Sequence, residues 1–321
     1  VSRMRRILIL GGTAWLGRAI AAAALASGAD VTCLARGESG AVAPGARLVR
    51  ADRGAPDAYA GLDGDWDDVV ELSWDPGFVA SGLHALADRA AHWTLVSSVS
   101  VYARSDAPFA DESADLVDPL DTTRYADAKV HAEQLTTARA GDRALRVRAG
   151  LIVGPGDPTD RFGYWPARFD RGGRVVVPET AGRHAQGIDV DDLAEWIVRA
   201  GAAGTIGPVN AVGEELPLAA VLAAAREAAG ADAEPVALDD ETLLSRGVQH
   251  WMGPRSLPLW LPAEAQGFSR RSDAAFVASG GRRRPLAETM RRVLVDERDR
   301  GVDRPRRAGL TLAEEADVLA G

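Results

Sequence analysis

Arg6-Ile7-Leu8-Ile9-Leu10 is a short, unbroken apolar run that stops at Gly11-Gly12, the pattern of a strand buried on both faces of a parallel sheet. Similar runs recur at 31–35, 47–51, 68–72, 93–97 and 144–148. Helical spacing lies between them: 15–27, stopped by Gly28, then 78–90, then a segment carrying Tyr125 and Lys129. Strand and helix alternating with short turns predict an α/β fold built on a doubly wound parallel (Rossmann) sheet. Beyond Gly150 the rhythm changes. Gly154-Pro155-Gly156-Asp157-Pro158 reads as a loop, and 161–171 as a helix rich in arginine and aromatics. Ile188-Asp189-Val190-Asp191-Asp192 precedes a helix ending near Ala200, followed by a strand over 208–212. Further helices are expected at 216–229, 271–279, 285–298 and 312–320, and a loosely ordered tail after Asp299.

The 321 residues suffice for a large sheet domain and a smaller, mostly α lobe. An apolar fraction of 46% and a charged fraction of 26% are those of a globular protein, expected in the cytoplasm. Net charge is −9, and Lys/Arg are nowhere dense enough for a nucleic-acid groove. Arg282-Arg283-Arg284 is read as a solvated helix start. The apolar stretch 19–26 is too short to span a bilayer. Cys33, the only cysteine, lies in a strand and is expected to be a buried, inert thiol. No metal site is expected.

The turn Gly11-Gly12-Thr13-Ala14-Trp15-Leu16-Gly17 follows the first strand and opens a helix. That setting makes the glycine pattern a dinucleotide-binding turn. The first glycines allow the tight bend, small Ala14 lets a pyrophosphate approach, and Gly17 permits close helix–strand packing. Gly11, Thr13, Ala14, Trp15, Leu16 and Gly17 are thus candidate cofactor contacts at the positive end of a helix. The second strand ends in Leu34-Ala35-Arg36-Gly37, where an NAD site carries an acid. Arg36 can pair with a ribose 2′-phosphate instead, so NADP(H) is expected ahead of NAD(H). Asp52, after the third strand, is a candidate adenine contact. On these grounds residues 1–150 with about 186–212 form the dinucleotide-binding domain, and about 151–185 with 213–321 the substrate lobe.

Arginine makes up all but one of the 37 Lys+Arg residues, and the exception, Lys129, stands four places after Tyr125. On a helix these two share a face, and a nearby ammonium favours phenolate over phenol. Ser97-Ser98-Val99-Ser100-Val101-Tyr102 ends the fifth strand, on the side where open α/β sheets bind ligands.

Together these residues resemble the short-chain dehydrogenase/reductase superfamily, in its extended, epimerase-like branch. The resemblance is carried by the glycine turn, Ser97-Ser98…Val101-Tyr102, Tyr125…Lys129 with Glu133, Gly154-Pro155, and Ile188-Asp189-Val190-Asp191-Asp192-Leu193, and it covers the first two-thirds of the chain. It implies that Ser98 (less plausibly Ser100) orients a substrate oxygen and that Tyr125 is the general acid or base. Lys129 would lower the Tyr125 pKa, together with the nicotinamide, and bind the nicotinamide ribose. It also implies a substrate pocket drawn from the second lobe, with Arg161, Tyr164, Trp165, Arg168 and Gln186 as candidates. His184 is read as an exposed loop residue. Trp74, after the fourth strand where small residues are usual, is expected to block part of the site or wall the substrate. The implied activity is NADP(H)-dependent reduction of a carbonyl or oxidation of a secondary alcohol on a small molecule. The alternatives are a sugar epimerase/dehydratase, or a non-catalytic dinucleotide sensor or RNA-binding relative. Helices near 78–90 and 122–139 resemble those that form dimers in the superfamily.

Overall fold

The computed structural model describes residues 3–321. The first half of the chain runs β1 (Arg6–Leu10), α1 (Trp15–Ala26), β2 (Asp30–Ala35), β3 (Arg47–Arg50), β4 (Asp68–Glu71), α2 (Pro76–Leu86), β5 (Trp93–Ser98), α3 (Tyr125–Ala140) and β6 (Ala144–Ala149). It continues with β7 (Leu151–Val153), α4 (Tyr164–Asp170), β8 (Gly173–Pro178), β9 (His184–Ala185), β10 (Gly187–Asp189), α5 (Val190–Ala203) and β11 (Gly207–Ala211).

Seven strands form one parallel sheet in the order β11-β6-β5-β4-β1-β2-β3. The doubly wound sheet expected from the apolar runs is therefore present. Each strand sends alternate side chains to opposite layers. Ile7 and Ile9 join α1 and α5 through Ile20, Ala24, Leu193 and Trp196. Leu8 and Leu10 join α2 and α3 through Val79, Leu83, Leu86 and Ala132. Burial on both faces is why β1 is continuously apolar from Ile7 to Leu10. Strand order reverses between β1 and β4, so a crevice opens at their carboxyl ends.

A separate core lies beyond β6. Trp165 and Phe169 of α4, Val175 and Val176 of β8, Leu218 and Val221 of the helix Leu218–Ala229, and Met290 and Val293 of the helix Leu286–Arg300 pack together. Strand Ala233–Leu238 pairs in parallel with β8, a pairing the helical spacings did not suggest. The helix expected over 161–171 begins only at Tyr164.

Two expectations about arginine-rich segments are corrected. The tail after Asp299 is tied down: Arg304 and Arg306 reach the buried Glu297 at 3.0 and 2.8 Å, and Asp160 accepts the Arg307 amide. Arg284 is bound to Asp192 through its Nε at 2.9 Å, and Arg283 to Asp273. Neither triplet arginine is merely solvated. Asp160 and Asp192, buried and far off in sequence, help to bind the two segments.

Candidate active site

The glycine turn is closed by the Ala14 amide donating to the Gly11 carbonyl, with Gly11 at φ 108°. A Cβ on Gly12 would meet Cys33 Sγ at 2.3 Å, and one on Gly17 would meet the Gly11 carbonyl at 2.4 Å. These glycines are therefore required by close packing of α1 on β1 and β2. α1 starts at Ala14 with no side-chain cap, in contrast to α2, whose Asp75 accepts from the Gly77 and Phe78 amides. Its first-turn amides remain available for an anion, as a pyrophosphate site requires. The Trp15 indole donates to the Pro155 carbonyl at 2.7 Å and so pins the turn to the loop after β7.

A cleft of about 400 Å³ runs from this turn past the ends of β2, β3 and β4, and Thr13, Arg36, Asp52, Arg53 and Trp74 line it. Its shape and its amide cradle fit a dinucleotide. Arg36 is exposed at its rim and pairs with Glu38 at 3.3 Å, while Arg50 donates to the Arg36 carbonyl. The Asp52 carboxylate accepts the Gly54 amide. The sequence reading passed over Arg53, which grips Glu71 with both terminal nitrogens, at 2.7 and 2.5 Å, and binds Tyr59. This buried pair fills the end of β4, and Glu71 also accepts the Ser73 amide. The signal was present: an acid ending a strand otherwise apolar must find a cation when buried.

α3 has no apolar stripe. Its buried face carries Asp127, Lys129 and Glu133 beside Ala128, Val130 and Ala132, an arrangement that needs partners at every charge. Glu133 accepts from Ser97 Oγ at 2.7 Å and from two nitrogens of Arg148, and Arg148 donates to Tyr102 Oη at 3.0 Å. Tyr102 in turn donates to Asn210. This network holds α3 against the ends of β5, β6 and β11.

One face of α3 brings the proposed catalytic groups to β5. Lys129, 3% exposed, donates to the Val96 carbonyl at 2.6 Å and the Ser73 carbonyl at 3.3 Å. Burial lowers its pKa to about 8, while Glu71 and Glu133 pull the other way. Its ammonium lies over the Tyr125 ring, 5.9 Å from the centroid. Ser98 Oγ pairs with Ser100 Oγ at 3.2 Å and accepts the Ser100 amide, so the preferred serine and its runner-up stand side by side. Tyr125 is 46% exposed, yet what burial it has pushes the phenol pKa up, while the nearby Ser98 hydroxyl and the Arg161 charge oppose that shift. Lys129 gives its donors to the Val96 and Ser73 carbonyls, and Arg161 adds a second positive charge that favours the phenolate. Trp74, 48% exposed, faces Tyr125 with ring centroids 6.0 Å apart, as a wall beside the phenol.

The second-lobe candidates divide. Arg161 is beside Tyr125, but four others are built into the protein. Tyr164 and Trp165 are core residues, with the Trp165 indole donating to the Pro258 carbonyl. Arg168 is bound by Glu315 at 2.5 Å and by the Gly172 and Arg174 carbonyls. Gln186 exchanges two hydrogen bonds with the Arg271 backbone. None of the four is a substrate contact. His184 is partly buried against Glu215. The lobe instead brings Trp251 and Phe268 to this side: Arg161 lies over the Trp251 ring, Trp251 meets Phe268 edge-on, and Phe268 packs with Val99 and Val101 just after Ser98. No sequence pattern marked Trp251, which reaches the site from a loop. Among the described residues no cluster could hold a metal ion and no helix is long and apolar enough to cross a membrane.

Residues 81–212 match the family model described as the NAD dependent epimerase/dehydratase family. No curated protein matches the chain. Among solved structures, a candidate epimerase from Burkholderia cenocepacia J2315 is similar with a TM-score of 0.73 at 24% identity, over 92% of this chain and 98% of that one. The Thermus thermophilus UDP-glucose 4-epimerase, solved with NAD, is similar with a TM-score of 0.67 at 20% identity, over 91% and 99%. The fold is shared with these proteins nearly end to end. The family match falls on the segment that carries Ser98, Tyr125 and Lys129, as the motifs implied.

Proposed function

With residues 81–212 matched to the NAD dependent epimerase/dehydratase family, we propose that this chain is a nicotinamide-dependent enzyme acting by transient oxidation of a secondary alcohol. The family match favours this epimerase or dehydratase chemistry over the net carbonyl reduction placed first from the sequence. The single observation that carries the reading is the convergence of Ser98, Tyr125 and Lys129 where β5 meets α3.

When bound, the nicotinamide supplies a hydride acceptor and donor at the substrate carbon. Tyr125 takes the proton of the substrate hydroxyl as the alcohol is oxidised and returns it when the carbonyl is reduced. Ser98 hydrogen-bonds the same oxygen and orients it. Lys129 would hold the nicotinamide ribose, and its charge, with that of Arg161, would oppose the effect of burial on the phenol. NADP(H) remains the preferred cofactor, supported by Arg36 at the cleft rim and by the lack of an acid directly at the end of β2, although Glu38 two residues on pairs with Arg36. Arg36→Ala is expected to weaken NADPH binding about tenfold with little change for NADH; equal losses by titration would remove the preference.

The deciding assay offers small secondary alcohols with limiting NADP+ and ketones with limiting NADPH. Product formation with no net change in nicotinamide absorbance supports transient oxidation, and a stoichiometric change in absorbance restores the reductase reading. Tight NADPH binding with no turnover across the panel would favour a non-catalytic dinucleotide sensor.

A further inference from the structure

Arg161 is held by one side only. Its Nε donates to Thr159 Oγ1 at 3.2 Å, and that hydroxyl donates in turn to Asp157 Oδ2 at 2.9 Å. Asp157 thus orients the guanidinium through a hydroxyl without neutralising it directly. Among the described residues no carboxylate lies within 4.0 Å of Arg161, and its two terminal nitrogens have no hydrogen-bond partner. Four other arginines differ, although the buried Arg271 likewise binds no carboxylate. Arg53, Arg148, Arg168 and Arg183 each bind a carboxylate at 2.5 to 2.8 Å. Arg161 is only partly buried, yet burial is enough to lower its pKa while Asp157 and Tyr125 raise it. Tyr125 is near enough for the two charges to act on each other.

The surroundings are equally specific. The guanidinium carbon lies 5.1 Å from the centre of the Trp251 ring. Trp251 adopts φ 70°, a left-handed conformation costly for a bulky residue. Phe268 meets its ring edge-on at 5.5 Å. On the other side of the phenol stands Trp74. A planar fork with two free nitrogens matches a carboxylate bidentately. The nearby Asp157 disfavours a doubly charged phosphate.

We propose that Arg161 binds a carboxylate of the substrate, so that the reacting molecule is an organic acid whose hydroxyl or carbonyl carbon lies a few bonds from its carboxyl group, with its carbon skeleton between Trp74 and Trp251. This rests on the Ser98–Tyr125–Lys129 reading, but its test does not require turnover. Benzoate and benzamide, isosteric and differing in charge, are titrated against the protein with saturating NADP+, following tryptophan fluorescence and calorimetric heat. Benzoate is expected to bind about tenfold or more tightly than benzamide. Arg161→Gln should abolish that preference with its melting temperature and NADPH affinity unchanged, and Arg161→Lys should restore part of it. Tyr125→Phe should still prefer benzoate while failing to turn over. Equal or absent binding of the two probes in the wild type, or an undiminished preference in Arg161→Gln, would overturn the carboxylate assignment. Turnover by Tyr125→Phe would instead remove the catalytic reading and leave the binding result standing.

Discussion

Arg161 and Arg168 are seven residues apart in one arginine- and aromatic-rich stretch, and in the sequence nothing separates their prospects. In the structure they belong to different regions. Arg161 ends the loop that leaves β7 at the carboxyl edge of the sheet, with its terminal nitrogens free beside Tyr125. Arg168 lies in α4, inside the second core, with Glu315 and two carbonyls occupying its donors. The same guanidinium is left with free donors in one place and is a structural tie in the other. What distinguishes them is whether the fold delivers a carboxylate, and Glu315 arrives from 147 residues away.

The largest expected effect lies on the reactive side. Tyr125→Phe should cut turnover by about 10²- to 10⁴-fold while leaving NADPH affinity within about twofold, as measured by kinetics and titration. Unchanged turnover would empty that region of its chemistry. Next in size is the structural side. Glu315→Ala leaves Arg168 buried and unpaired and should cost about 3–5 kcal/mol in denaturant unfolding, whereas Arg161→Gln should stay within about 0.5 kcal/mol. Similar losses for both would erase the distinction between the two arginines.

The smallest effect concerns Lys129, whose folded pKa is about 8 against an ordinary 10.5. Between those values the unfolded chain binds more protons at this group, so its contribution to stability rises with pH across that window and is constant below it. Relative to Lys129→Met, the wild type should gain on the order of 2–3 kcal/mol from pH 8 to pH 10.5, read from paired unfolding curves. A flat difference would mean that the ammonium is better compensated than its burial implies.

Much of the sheet half was legible because its signals are local. Apolar runs ending in glycine mark parallel strands, and the turn at Gly11–Gly17 needs glycine where a Cβ would strike Cys33 or the Gly11 carbonyl. The placing of Ser98, Tyr125 and Lys129 near one another was legible for the same reason: four-residue spacing on a helix and the end of a strand are local facts. The second lobe resisted such reading. Tyr164 and Trp165 carry the composition of a ligand pocket but fill a core, since an aromatic ring serves burial and stacking equally well. Trp251 belongs to the site through a loop closing from the far end of the lobe.

The sequence by itself determined the parallel sheet, the anion-binding turn and the polar face of α3, because each follows from periodicity or backbone sterics within a few residues. Only the tertiary structure decided which charges are free. Glu71 is bound by Arg53, Arg168 by Glu315, and Arg161 by no acid, because ion pairing depends on distances of a few ångströms between segments that the chain holds far apart.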